Sequence, residues 1–217
     1  MKRTIQTMTA SALLIAGAAA LAGFGLNTSG AAVATTSSAR AAEPGSYEVD
    51  RVHSSILFKI RHSGLAYFYG RFDDFTGTID IDPDNIENAE LNFTVETASV
   101  NTNNRNRDGH IKNADFLNAR QYPKANFTST QIKLLRDGVY ELHGDFSIHG
   151  VTRPVVATLT DVTFGQQQGK DAMGFHAVFS IQRSEFDIMK YVNPQDPENG
   201  PLGDRVEVIV SIEAVND

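Results

Sequence analysis

The chain has 217 residues, with 19 Lys and Arg against 26 Asp and Glu, a formal net charge of −7, six histidines and no cysteine. No disulfide supports the fold and no thiolate serves as nucleophile or metal ligand. The acid excess argues against nucleic acid as a partner, because its binders gain affinity by neutralising phosphates, and equally against adhesion to anionic lipid head groups by charge alone.

The first segment reads as an export signal. Lys2 and Arg3 precede an uncharged Ala- and Gly-rich run from Ser11 to Leu26, and a small-residue stretch follows, the layout of a cleaved secretory signal. Two A-x-A sites fit, after Ala34 and after Ala41. The apolar run is shorter than the ~20 residues of a spanning helix and is broken by glycine. Cleavage after Ala41 leaves 16 basic residues against 26 acidic ones, a net charge of −10. The expected division is 1–41, removed on export, and 42–217, one domain placed in the periplasm or otherwise exported.

From Tyr47 onward apolar residues recur at period two, the mark of strands with one buried face. Ile56, Phe58 and Ile60 form one such row, and Leu91, Phe93 and Val95 another. Tyr140, Leu142, Phe146 and Ile148 follow, then Phe175, Ala177, Phe179 and Ile181, and last Val206, Val208, Val210 and Ile212. Asp82 to Asn85, Asp137-Gly138, His149-Gly150 and the Gln-Gly stretch ending at Gly169 supply turn chemistry between them. About eight strands at this spacing, with no long helical insertions, indicate an antiparallel sandwich or barrel, and closure into a barrel removes exposed edges.

One segment departs from alternation. Asn104 to Asn118 places Ile111, Ala114 and Leu117 on one helical face, with Asn103 or Asn104 as cap and Asp108 and Lys112 spaced as an i,i+4 pair. Gly109 weakens this helix in isolation, so it needs an apolar surface to lie on, most simply an open end of the barrel. The Gln166 to Lys170 tip and the proline-rich Asn193 to Gly203 segment read as unstructured loops.

No G-x-S-x-G elbow, H-E-x-x-H helix or phosphate-binding glycine loop is present, and no two histidines stand at a zinc-site spacing. No cofactor or metal is therefore expected. His62 lies in phase with the inward row of its strand, where a lone histidine is more often a hydrogen-bonded core residue. Asp50 and His53 are spaced as an acid–base pair, or more simply as a turn-fixing hydrogen bond. The 13 phenylalanines say more, because Phe58, Phe93, Phe146 and Phe179 each fall on the apolar row of their own strand. Eight strands is the size at which such rings either fill a barrel or line a cavity for one ligand.

Several separate stretches in a fixed order carry a family resemblance. They are YEVDRVHSSILFKIRHSG from Tyr47 to Gly64, GRF at Gly70 to Phe72, and SVNT at Ser99 to Thr102. NRNRDGHIKNADFLNARQYPKANFTS from Asn104 to Ser129, GDFSIHGVTRPV from Gly144 to Val155 and IQRSEFDI from Ile181 to Ile188 complete the set. Across Tyr47 to about Val215 the chain resembles the YceI-like family of exported lipid-binding proteins. The resemblance implies an all-β, eight-stranded antiparallel lipocalin-like barrel with one short helix covering an end. It implies an elongated apolar cavity for a polyisoprenoid or fatty-acyl amphiphile, a role as carrier, store or sensor, and frequent homodimers; it names no delivery partner. The loop MKYVNPQDPENGPLG after Ile188 departs from relatives in being proline-rich and acidic.

On that basis strand parity selects Phe58, Ile60, Phe93, Phe127, Phe146, Ile148 and Phe179 as cavity wall. Phe116 and Leu117 join them from the covering helix, His62 from the inward row, and Arg107 and His110 at the helix start as head-group contacts. This reading requires a continuous aromatic-walled tunnel. Two readings compete with it: an exported hydrolase or isomerase using His62 or the Asp50 and His53 pair, and a filled barrel acting only as an interaction module.

Overall fold

A computed structural model of the chain describes residues 42–216; the expected export signal and both cleavage positions lie outside the described residues. Eleven strand segments and one helix follow in order. They are β1 (Gly45–Val49), β2 (Ser55–His62), β3 (Ala66–Phe72), β4 (Phe75–Ile81), β5 (Glu90–Glu96), β6 (Val100–Asn101), α1 (Arg105–Ile111), β7 (Lys124–Arg136), β8 (Val139–Ile148), β9 (Val151–Gln167), β10 (Lys170–Gln182) and β11 (Leu202–Asn216).

These segments make eight long strands, because three of the strands are interrupted. β1 and β2 succeed one another along β11, with Tyr47 opposite Asn216 and Ile60 opposite Val206. β4 and β3 run back along β1 and β2, and β5 and β6 along β4 and β3. The rest is a meander from β5 through β7, β8, β9 and β10 to β11, and the pairing of β11 with β1 closes the ring. Every pairing is antiparallel, so the fold is a closed up-and-down barrel with no free edge along most of its length.

The period-two rows determine what the barrel encloses. Ile56, Leu91, Leu142, Phe175, Ala177, Phe179, Ile181 and Ile212 are buried in one continuous core, with Phe58, Phe93, Phe127 and Phe146 packed against it. The rows hold register because a one-residue slip would turn each apolar set to solvent. At one end the core is solid: Tyr47, Ile79 and Ala214 are fully buried there.

At the other end the wall is incomplete. β6 reaches only Arg71 and Phe72 of β3, and the chain from Thr102 to Tyr122, including α1, crosses the gap before β7. Thr97 anchors this crossing: its hydroxyl donates to the Tyr122 carbonyl at 2.7 Å and its N–H to the Pro123 carbonyl at 2.8 Å.

Four local expectations need correction. The helix ends at Ile111 rather than Asn118; Asn104 caps it by accepting from the Arg107 N–H. Residues 112–119 turn instead, closed by Leu117 N–H to Ile111 O at 2.9 Å and a left-handed Asn118. Asn113, Asp115 and Asn118 favour such turns over helix interior. Asp108 accepts from the Thr102 N–H and hydroxyl rather than pairing with Lys112.

The Gln166 to Lys170 tip is ordered, because β9 and β10 extend to a two-residue turn with Gln168 and Gly169 both at positive φ, the geometry that suits strand twist. The Asn193 to Gly203 segment stays out of the sheet until Leu202 but is likewise fixed. Its backbone is held by Asp204 N–H to Pro197 O at 2.9 Å and Leu202 N–H to Tyr191 O at 3.4 Å.

Candidate functional site

The open end of the barrel holds a cavity of about 540 Å³. Its wall comes from alternate residues of β2 (Phe58, Ile60, His62), β3 (Phe68, Phe72), β8 (Phe146, Ile148) and β11 (Val206, Val208), with Ile181 from β10. The crossing segment closes one side with Arg107, His110, Ile111, Phe116 and Leu117, and the loop before β11 contributes Ile188, Tyr191 and Pro201, with Leu202 at the start of β11. The lining is mostly aliphatic and aromatic with few polar groups, the composition of sites for apolar small molecules.

Phe58 keeps its place by packing over a glycine. On β3, directly opposite it, a Cβ at Gly70 would stand 2.3 Å from the Phe58 ring. A side chain at position 70 would collide with the ring, so glycine there leaves it room.

The polar groups gather at the mouth. The Arg107 Nε donates to the Thr102 hydroxyl at 2.9 Å and its Nη2 to the Thr102 carbonyl at 2.8 Å, while the guanidinium lies 4.1 Å from the Phe68 ring centre. Arg107 is therefore positioned by neutral acceptors and an aromatic face, not by a carboxylate. His110 stands edge-on to Phe116 at 5.0 Å and to Tyr191 at 6.4 Å. Asp115 lies 3.7 Å from the His110 Nε2 and accepts from Lys190 at 3.0 Å. That hydrogen bond holds the Asp115 carboxyl below the usual carboxylate range and raises the Lys190 amine.

Arg183 fixes the rim. It is 3 % exposed, and its guanidinium donates to the carbonyls of Gly203, Ile188, Lys190 and Leu202 at 2.7–3.0 Å. Burial pulls its pKa down, and the Asp204 charge opposes that pull. Asp204, also buried, accepts from the Ser184 N–H and hydroxyl at 2.8 and 2.6 Å. One buried cation thus ties together the two ends of the proline-rich segment.

Below the cavity the barrel fills. A void of about 70 Å³ shares Ile56, Val95, Ala125, Phe146 and Val208 with the large one and reaches Phe93, Phe127, Phe175 and Phe179. Phe93 of β5 and Phe175 of β10 stand four strands apart in a ring of eight, so they face each other across the barrel axis. Their rings meet edge to face at 6.2 Å. The expected continuous tunnel is therefore corrected, and the carrier reading does not hold in the form that required it: rings interlock at mid-barrel, and what is left to that reading is a blind cavity at the α1 end.

Of the residues selected from the sequence, Phe58, Ile60, His62, Arg107, His110, Phe116, Leu117, Phe146 and Ile148 surround the large cavity. Phe93, Phe127 and Phe179 lie deeper, around the small void. Phe116 and Leu117 reach the cavity from the turns after α1, not from the helix. Reasoning from sequence missed Phe68 and Phe72, although the row Phe68, Gly70, Phe72 between exposed Tyr67 and Tyr69 carried the same signal. It also missed Arg183, Ile188 and Tyr191, whose positions depend on a loop without periodicity.

The Asp50 and His53 pair forms, but elsewhere. The His53 Nδ1 and Asp50 Oδ2 are 2.7 Å apart, and Asp50 also accepts from the Val52 N–H at 2.9 Å. The hydrogen bond to His53 lowers the Asp50 pKa to about 2, and the same bond raises that of His53. Glu213 approaches this pair, giving three donor atoms within 4.8 Å of one another; spacing along the chain hides the cluster because Glu213 arrives on β11. β2, eight residues at ~3.3 Å each, separates the pair from His62 by more than about 20 Å. The pair sits at the solid end and closes a turn.

With this geometry in view, comparison with known proteins is direct. The family model of the YceI-like domain matches residues 47–214. The protein YceI of Escherichia coli O157:H7 is 38% identical over 184 residues, covering 82% of this chain and 91% of that protein. The crystal structure of the Campylobacter jejuni YceI protein superposes with a TM-score of 0.63 at 28% identity, over 73% of this chain and 91% of that one. A polyisoprenoid binding domain from Saccharophagus degradans, implicated in plant cell wall breakdown, shares the fold at a TM-score of 0.61 and 15% identity, over 79% and 98%. A closed eight-stranded barrel, a short helix across its open end and a match through nearly the whole described domain place this chain in the YceI-like family.

Proposed function

We propose that this protein is an exported carrier or store that holds the apolar chain of an isoprenoid or fatty-acyl amphiphile inside the barrel, with the polar head at the mouth. The observation that carries the reading is the cavity of about 540 Å³ with a mostly apolar lining, in which Arg107, His110 and Tyr191 are among the few polar side chains. That volume lies within the range of roughly 300–1,000 Å³ typical of small-molecule sites. Transfer of a chain from water contributes ~0.8 kcal/mol per buried methylene, and a preformed wall receives it without distorting the fold.

The polyisoprenoid-binding neighbour supports the fold at 15% identity; the cavity supports the ligand class. The N-terminal signal pattern supports export. An enzymatic reading lacks its constellation: the Asp50 and His53 pair lies at the end away from the cavity. Among the described residues His62 makes no hydrogen bond or ion pair with a second titratable group. The test is organic extraction and mass spectrometry of the protein purified from its own host. One class of single-chain or isoprenoid lipid at near-equimolar yield is expected. No co-purified lipid, combined with no binding of added lipid, would overturn the carrier reading in favour of an interaction module.

A further inference from the structure

We infer that the barrel measures chain length, with the Phe93 and Phe175 pair as the floor against which a chain of about 20 carbons ends. The inference rests on the carrier reading and adds a limit to it. An apolar cavity of about 150 Å³ accommodates one six-carbon benzene ring, or about 25 Å³ per carbon. A cavity of about 540 Å³ on this scale encloses about 20 carbons. The small void beneath it, about 70 Å³, adds only about three more.

Among the described residues the space narrows sharply below. Phe93 and Phe175 meet across the axis at 6.2 Å, and the remaining gap between Phe175, Leu91 and Met173 is about 10 Å³. Past that level Tyr47 and Ile79 are fully buried in packed core. Interiors of this density do not yield without lost contacts. The floor is built from the sheet: a Cβ at Gly77, opposite Phe93 on β4, would stand 2.6 Å from the Phe93 ring, so that ring also lies over a glycine. A chain longer than the cavity must leave its excess carbons outside the mouth, in water, where they add no affinity.

The experiment is a length series, saturated fatty acids from C8 to C26 and all-trans prenols from C10 to C40, read by displacement of a bound fluorescent fatty-acid probe. Affinity should rise about fourfold per buried methylene and level off near about 20 carbons. The doubly shortened variant Phe93→Leu with Phe175→Leu opens the floor and should move the plateau to longer chains. Ala125→Leu fills the boundary between the two voids and should move it to shorter ones, and circular dichroism verifies that each variant is folded. Affinity still rising through C40 in the unmodified protein, or a plateau that neither folded variant moves, would overturn the length limit while leaving the carrier reading intact. Binding of no chain at all would sink the carrier reading itself.

Discussion

At the scale of single residues, two kinds of side chain set the character of the barrel. Glycines on one strand receive phenylalanine rings from the next, so Phe58 lies over Gly70 and Phe93 over Gly77, and the rings become wall or floor according to level. Polar side chains, by contrast, work at the two ends. At the solid end, the Asp50 and His53 pair has a definite pH signature. Asp50 is lowered from 3.8 to about 2, so its contribution is present above its unfolded value and lost as pH falls towards about 2. His53 is raised from 6.5, so its contribution is complete below that value and fades as pH rises through the folded one. The pair is therefore most stabilising between about pH 4 and 6.5. NMR titration should find the His53 midpoint above 6.5, and Asp50→Asn should bring it back; an unshifted midpoint in the unmodified protein would show that the pair does not form in solution.

At the scale of elements, the segment from Ile188 to Asp204 behaves as a built rim rather than a loose loop. Arg183 holds it through four carbonyls, each of which loses a charged donor if the guanidinium is removed. Leaving such groups buried without partners costs ~1–3 kcal/mol apiece before relaxation. Arg183→Met should therefore lower stability by about 3–5 kcal/mol in urea unfolding, and limited proteolysis should then cut within residues 189–203. A loss below about 1 kcal/mol would mean that the rim is held by something else. The contrast with the strands explains what the sequence disclosed. β2, β5, β8, β10 and β11 were legible because alternation writes the inward face directly into residue order. The rim was not, because one buried cation reaching four carbonyls leaves no period to read. The helix was half legible: its start was placed to within one residue, with Asn103 or Asn104 as cap, whereas its end at Ile111 depends on a turn that local propensity only permits.

At the scale of the whole molecule, the barrel divides into a packed half and a hollow half. The packed half, around Tyr47, Ile79 and Ala214, gives stability that does not depend on the guest. The hollow half gains stability when occupied, because a ligand that binds only the folded state stabilises it by mass action. At free ligand about 100-fold above Kd the gain is about 2.7 kcal/mol, or a Tm rise of roughly 5–10 °C for a domain of this size. Calorimetry of delipidated protein with and without added C18 or C20 chain should show that rise, with the Tm dependent on ligand concentration. A Tm indifferent to added lipid would show that the cavity stays empty.

Residue order by itself determined the class of this fold, since period-two rows and turn residues leave an antiparallel sandwich or barrel held by its core, and the pairing of β11 with β1 decided for the closed barrel. It also carried the family, through motifs spread from Tyr47 to Ile188. What it did not contain is depth. Parity assigns Phe58, Phe93, Phe127 and Phe179 alike to the inner face, because alternation records which side a residue faces and nothing about its level along the axis. Whether a ring lines space or plugs it depends on strand stagger and on what stands opposite, and only the closed ring brought Phe93 and Phe175 together across the axis.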